Sequence, residues 1–299
     1  MDLEAGIPPV PLSAGSCAFS QSMVALAETH PGDAVVFTTH CDQMRRGFDV
    51  AASTHPGNLF LFNLPATHLG EIGRRLFREE LDRLGRFLRR MGGKEPTNLR
   101  ALSCCLNGSR SRTLDWCRGA TGRTAAEAMT QFLHDGTEPI AASAPVPRQG
   151  LVPIILAGGP VPQSQWPLFD TLDRAGAHVA VNATENGERA LAPVLLHETA
   201  ESADSIGPDA LAEGCLNRCV DIFQRPNTRL YDWLRARAAS TNARGIVLWS
   251  YINCDLWRAE AASLRELLHL PVLALESHET LADTTRARTR IEAFVEALQ

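Results

Sequence analysis

The sequence predicts an α/β protein built as two domains, each with a mostly parallel sheet flanked by helices, and a cleft between them. Three observations carry this. Short apolar runs closed by breaker residues recur along the chain, as in Ala34-Val35-Val36-Phe37 and Leu151 to Leu156. Such runs suit strands buried on both faces of a parallel sheet. They alternate with stretches of helical period, which is the βα order of that class. Near the middle, Pro139 to Gly150 is rich in Ala, Pro and Ser and reads as a linker. It divides the chain into an N-terminal domain, residues 1–140, and a C-terminal domain, residues 141–299.

The first strand, Ala34 to Phe37, leads through a short helix around Met44 to Val50 into a second strand, Leu59 to Leu64. A long amphipathic segment, Leu69 to Met91, then places Ile72, Leu76, Leu81, Leu84, Phe87 and Leu88 at helical spacing. Gly92-Gly93 ends it as a helix C-cap should. Its many arginines are interleaved with Glu71, Glu79, Glu80 and Asp82. That pattern indicates a solvated helix with i,i+4 ion pairs rather than a nucleic-acid face. Helices over Leu99 to Cys117 and Thr124 to His134 follow.

After the linker, the strand Leu151 to Leu156, a turn at Ala157-Gly158-Gly159-Pro160, the helix Trp166 to Ala175 and the strand Ala177 to Val181 form a βαβ unit. A helical region from Ala210 to Arg237 leads to the strand Gly245 to Ser250. A helix at Arg258 to Leu268, a strand at Val272 to Glu276 and a terminal helix from Thr284 to Leu298 complete the chain. Gly158-Gly159 lacks the spacing of a dinucleotide fingerprint or P-loop, so a tight turn is the reading. No His-Glu-x-x-His and no Gly-x-Ser-x-Gly occurs, which removes the motifs of zinc proteases and serine hydrolases.

At 299 residues the chain suffices for two domains. A hydrophobic content of 44% and a charged content of 21% suit a soluble globular protein. The net charge of −5 gives no electrostatic case for nucleic acid or an anionic membrane. No apolar run reaches the roughly 18–20 residues needed to span a bilayer. The start, Met1-Asp2-Leu3-Glu4, lacks the basic-then-apolar order of a signal peptide, and a cytoplasmic location is expected.

Eight cysteines then call for a role other than disulfides. No Cys-x-x-Cys pair occurs. Cys215 and Cys219, at i and i+4 of a helix, are expected to be structural, and Cys104, Cys105 and Cys117 to be buried. Three others stand apart. Cys17, Cys41 and Cys254 each fall where a strand ends or a helix begins, and two of them share the form "apolar strand, then Cys-Asp". Ligands in open α/β sheets gather outside the carboxyl ends of strands. Asp42 and Asp255 read as caps of the following helices, and His40 as a turn residue rather than a proton donor.

The end of the chain, Gly245 through Cys254-Asp255, then Leu270-Pro271-Val272 to Glu276 and the closing Arg290-Ile291-Glu292-Ala293-Phe294 block, resembles the 2-hydroxyacyl-CoA dehydratase family. That family also holds benzoyl-CoA reductase subunits and double-cubane cluster proteins. Cys17-Ala18-Phe19, Thr39-His40-Cys41-Asp42-Gln43-Met44-Arg45-Arg46 and Arg229 extend the resemblance. It implies two flavodoxin/Rossmann-like domains. It also implies a [4Fe-4S] or double-cubane cluster on Cys17, Cys41 and Cys254, with zinc on the same thiolates as the alternative.

The implied activity is single-electron chemistry on an acyl-CoA thioester, as a lyase or reductase subunit. The implied partners are a second family subunit, in a homo- or heterodimer, and an ATP-hydrolysing iron–sulfur activator. A cluster-carrying reductase or electron-transfer protein for small molecules, and a non-catalytic partner subunit, are the other functions the resemblance allows. Typical members carry a helical region before the first cysteine, whereas sixteen residues precede Cys17 here. Acyl-CoA binding is therefore a weaker expectation than the fold.

Overall fold

A computed structural model describes residues 15–55, 57–67, 70–95, 97–139, 149–191, 208–218, 220–277 and 285–299. Most of the expected linker, and Cys219, lie outside the described residues. The chain divides into two compact units. The first comprises Met1–Cys105, Pro193–Cys219 and Phe223–Pro226, and the second Leu106–Ala192, Val220–Ile222 and Asn227–Gln299.

In the first unit β1 (Val35–Thr38) and β2 (Leu59–Phe62) pair in parallel, Val35 opposite Leu59. A parallel pair needs a crossover, and α2 (Asp42–Thr54) supplies it. Before β1 lies α1 (Ala18–Thr29), a helix without charge until Glu28. Val24 and Ala27 of α1 pack with Val35, Phe37, Ala51 and Leu59 in one apolar cluster. Gly47 lets the two helices approach closely, because a Cβ there would stand 2.7 Å from Ser20 Oγ.

The amphipathic segment is α3 (Glu71–Arg90). Its buried residues are Phe77 and Phe87, whereas Ile72, Leu76 and Leu88 of the expected apolar stripe are exposed. Phe77 packs against Ala212 and Leu216 of α7 (Pro208–Arg218). Arg74 pairs with Glu213 at 3.6 Å, Arg78 pairs with Asp209, and Arg75 with Glu79 at 3.8 Å. The interleaved Glu79 thus serves Arg75 as an i,i+4 pair, whereas Arg74 and Arg78 find their acids on α7.

The helix α4 (Leu99–Arg118) precedes α5 (Gly122–Asp135), which Thr121 caps by accepting from Thr124 N. The second unit holds four parallel strands, β3 (Val152–Gly158), β4 (Ala177–Thr184), β5 (Gly245–Tyr251) and β6 (Val272–Ser277), in the order β4-β3-β5-β6. Every residue of β5 is buried, as a central parallel strand requires. Ile154, Leu156, Val247 and Trp249 form one cluster with Leu168 and Leu172 of α6 (Pro167–Arg174) and with Ile291 and Val295 of the final helix. Two further helices, α8 (Thr228–Thr241) and α9 (Asp255–Leu268), also pack on this sheet. In chain order the final helix is α10 (Thr285–Leu298).

Both sheets are parallel and helix-flanked, the Rossmann-like α/β class that the sequence predicts. A second expectation is corrected alongside the α3 stripe. The single helical region from Ala210 to Arg237 is two helices, α7 and α8, and Pro226 stands in the gap. Proline lacks the N–H a helix interior needs and clashes with the preceding turn. Among the described residues no helix is long and apolar enough to cross a membrane.

Candidate functional site

Each of the three singled-out cysteines occupies the N-cap position of a helix. Cys17 precedes α1, Cys41 precedes α2 and Cys254 precedes α9, and at none of them does the side chain cap the helix. Cysteine is an unusual choice there, because Ser, Thr, Asp and Asn accept far better from the first-turn N–H groups. Asp42 and Asp255, expected as caps, are instead the first helical residues. The strand-to-helix turn closes one residue earlier than the sequence suggested. Their charge in the first turn still complements the helix dipole.

The two Cys-Asp turns repeat one local design. Cys41 O accepts from Arg45 N and Cys254 O from Arg258 N, both at 3.1 Å. Asp42 lies 3.7 Å from Arg45, and Asp255 lies 3.8 Å from Arg258. Arg45 Nε donates back to Thr39 O at 3.1 Å, and Arg258 Nε donates to Glu276 Oε1 at 2.9 Å. The shared sequence behind this is Cys-Asp-x-x-Arg.

Gln43 joins the first two cysteine helices. Cys17 N donates to Gln43 Oε1 at 3.1 Å, and Ser20 Oγ donates to Gln43 O at 2.7 Å. The first turns of α1 and α2 are therefore stitched together within the first unit. Sequence reasoning missed Gln43, although it sits two residues after Cys41. His40 stacks on Phe223, ring centroids 5.0 Å apart and ring planes nearly parallel.

Cys254 lies in the second unit, just beyond the carboxyl end of β5. Asn253 makes the turn with φ of +69°, a conformation asparagine tolerates better than most residues. The chain leaves β3 toward β4 on one side while β5 lies on the other. Cys254 and Gly158 thus sit beside a topological switch point, where open α/β sheets place ligands. Gly158 has φ of +131°, and a Cβ there would fall 1.8 Å from Trp249 O. Gly159 N donates to that same oxygen at 3.1 Å. Gly158 thus ends β3 and Gly159 extends its pairing with β5, so the glycines serve close strand packing rather than the tight turn expected.

Behind this corner is a polar knot that the sequence did not reveal. The buried Arg189 donates to Ala183 O at 2.7 Å, Val220 O at 3.0 Å and Gly158 O at 3.1 Å. It lies 3.8 Å from Asp221 and covers the Trp257 ring at 4.9 Å. Trp257 Nε1 donates to Glu185 Oε1 at 2.8 Å. Burial and the negative charge of Asp221 push the Glu185 carboxyl up to about 7, against the opposing pull of Arg189 and the Trp257 hydrogen bond. Because Trp257 belongs to the first turn of α9, the knot braces the helix that Cys254 opens.

The other cysteines divide. Cys117 is buried as expected, donates to Ala125 O at 3.6 Å, and burial pushes its thiol up to about 12. Cys104 and Cys215 are half-buried, and burial raises the Cys215 thiol. Cys105 is exposed, contrary to expectation, since it falls on the outward side of α4. Arg229 lies half-buried in the first turn of α8.

Among the described residues no group of three or more His, Cys, Asp or Glu is gathered as a metal site. The donor set still suits iron and sulfide. Thiolates are the ligands such clusters use, and helix N-termini favour the negative charge they carry. None of the curated proteins compared with the chain matches it. The family model described as 2-hydroxyglutaryl-CoA dehydratase, D-component, matches residues 7–114 and 117–298. With that match spanning nearly its whole length, the chain belongs to the 2-hydroxyglutaryl-CoA dehydratase D-component family.

Proposed function

We propose that the chain is the iron–sulfur subunit of a 2-hydroxyacyl-CoA dehydratase or benzoyl-CoA reductase type of enzyme, with Cys17, Cys41 and Cys254 as its thiolate ligands. The observation that carries this reading is the repeated use of cysteine as a helix N-cap whose side chain does not cap. When bound, the cluster would supply low-potential one-electron chemistry to an acyl-CoA thioester.

The chain's own residues have separate tasks in this reading. The first-turn N–H groups of α1, α2 and α9 offset the negative charge of sulfur. Gln43 fixes the backbone at Cys17. Arg45 and Arg258 tie the Cys41 and Cys254 turns to neighbouring structure. Asn253 turns the chain so that Cys254 opens α9. The reading places the protein in a reducing cytoplasm, with a second family subunit and an ATP-hydrolysing activator as partners.

Anaerobic purification with iron, sulfide and zinc analysis tests the proposal. A brown protein containing iron and acid-labile sulfide, bleached by Cys41→Ala and by Cys254→Ala, supports it. A folded protein that is colourless and iron-free when prepared and reconstituted without oxygen overturns it. Stoichiometric zinc without sulfide overturns it as well.

A further inference from the structure

The two sheets begin alike. Each of β1-α2-β2 and β3-α6-β4 is a strand, a helix and a parallel strand. In the second unit β3 then has a neighbour on both sides, β4 and β5. In the first unit β1 has β2 alone, and its other edge carries no strand among the described residues.

Main-chain hydrogen bonding shows what that edge offers. Val35 N donates to Asn58 O and Thr39 N to Phe62 O, both at 3.0 Å. Alternate residues of a strand point their N–H and C=O groups to opposite sides. Val35, Phe37 and Thr39 therefore face β2, and Val36 and Thr38 face outward. No described residue bonds the main chain of Val36 or Thr38 on that side. An edge strand left in this state is a template for a further strand.

Two other sheet edges are closed by side chains. On β2, Arg83 donates to Leu61 O, and Glu80 Oε2 accepts from Asn63 N at 3.0 Å. On β6, Arg290 donates to Ala274 O at 2.7 Å and Arg265 to Val272 O at 3.3 Å. No side chain among the described residues closes β1 in this way. Ala34 to Thr39 carries no charge. Val36 and Thr38 are half-buried β-branched residues, the type that pairs well across strands.

We propose that the outer edge of β1 pairs with β1 of a second copy of this chain, antiparallel across a two-fold axis at Phe37. That register sets Val36 of one copy opposite Thr38 of the other. Each such pair exchanges both of its N–H···O bonds, because both residues face outward. Every outward group of Val36 and Thr38 is then satisfied in both copies. The two-stranded sheet becomes one of four strands, as many as the second unit holds. A strand paired with its own copy sets like residues side by side, which the absence of charge from Ala34 to Thr39 permits. A closed two-fold occupies both free edges and stops at a dimer. The assignment is independent of the cluster reading. An iron-binding monomer overturns this proposal alone, and a colourless, iron-free dimer built on β1 overturns the cluster alone.

Sedimentation velocity of the full-length protein over about a hundredfold range of concentration tests it. A monomer–dimer equilibrium is expected. Val36→Pro deletes an outward N–H and leaves the β1–β2 bonds in place. It should weaken the dimer about tenfold or more, with circular dichroism showing an unchanged fold. Thr38→Lys puts a charge on the edge without altering the main chain and should weaken the dimer likewise; it decides the matter if the proline variant does not fold. Hydrogen exchange read by mass spectrometry should show Ala34 to Thr39 gaining protection as the dimer forms. A monomer at every concentration overturns the proposal. So does a dimer that the folded variants leave at full strength, or one whose formation leaves exchange over Ala34 to Thr39 unchanged.

Discussion

Glu185→Gln should make the second unit more stable at neutral pH, and the gain should grow as pH rises. The Glu185 carboxyl is raised from the ordinary 4.5 to about 7, first by burial, then by Asp221. A raised carboxyl binds its proton more tightly in the folded chain than in the unfolded one. Its stabilising effect is therefore full below about pH 4.5 and is lost as pH climbs through about 7. Each pKa unit is worth about 1.4 kcal/mol, so the upper figure is about 3 kcal/mol. Glu185 keeps some exposed surface, and solvent screening brings the expected effect to roughly 1–3 kcal/mol.

Glutamine keeps a carbonyl oxygen for Trp257 Nε1 and carries no charge. The stability difference between variant and wild type should thus be small near pH 5 and reach that range at pH 8. Urea unfolding followed by tryptophan fluorescence measures it cleanly. All five tryptophans lie in the second unit, so the signal reports that unit alone. Parallel stability–pH curves for the two proteins would refute the account of a proton-holding Glu185.

Three further outcomes are expected. Gly158→Ala should cost at least about 3 kcal/mol or prevent folding, seen as a lowered or absent cooperative transition, because the new Cβ would overlap Trp249 O in a backbone conformation that L residues avoid. Thr121→Ala should cost about 1 kcal/mol in urea unfolding by removing the cap of α5. Iodoacetamide at pH 8, followed by mass spectrometry, should label exposed Cys105 quickly in the native protein and leave Cys117 unmodified until unfolding, since burial pushes the Cys117 thiol up to about 12.

The strands were the most legible elements, since Ile154–Leu156 and Ile246–Trp249 are apolar runs buried on both faces and Val35–Phe37 is an apolar run that alternates buried with half-buried. The helix α1 was not legible, because Ala18–Thr29 mixes small and apolar residues and lacks the polar face that marks a helical period. The apolar stripe of α3 was misread in part. Helical spacing shows which residues share a face, but not which face a neighbour covers, and α7 packs on Phe77 while Ile72 and Leu76 stay exposed.

The sequence by itself determined the class of fold, the two Cys-Asp turns and the family, because these rest on local runs and short spacings. Tertiary structure decided what surrounds them. It made cysteine rather than aspartate the N-cap, since the cap depends on the residue at which the chain leaves its strand. It tied Gln43 to Cys17 across two helices. It buried Arg189 against three backbone carbonyls from separate segments and set Glu185 beside Trp257. Hydrogen bonds between residues far apart in sequence leave no periodic trace along the chain, so only the folded arrangement displays them.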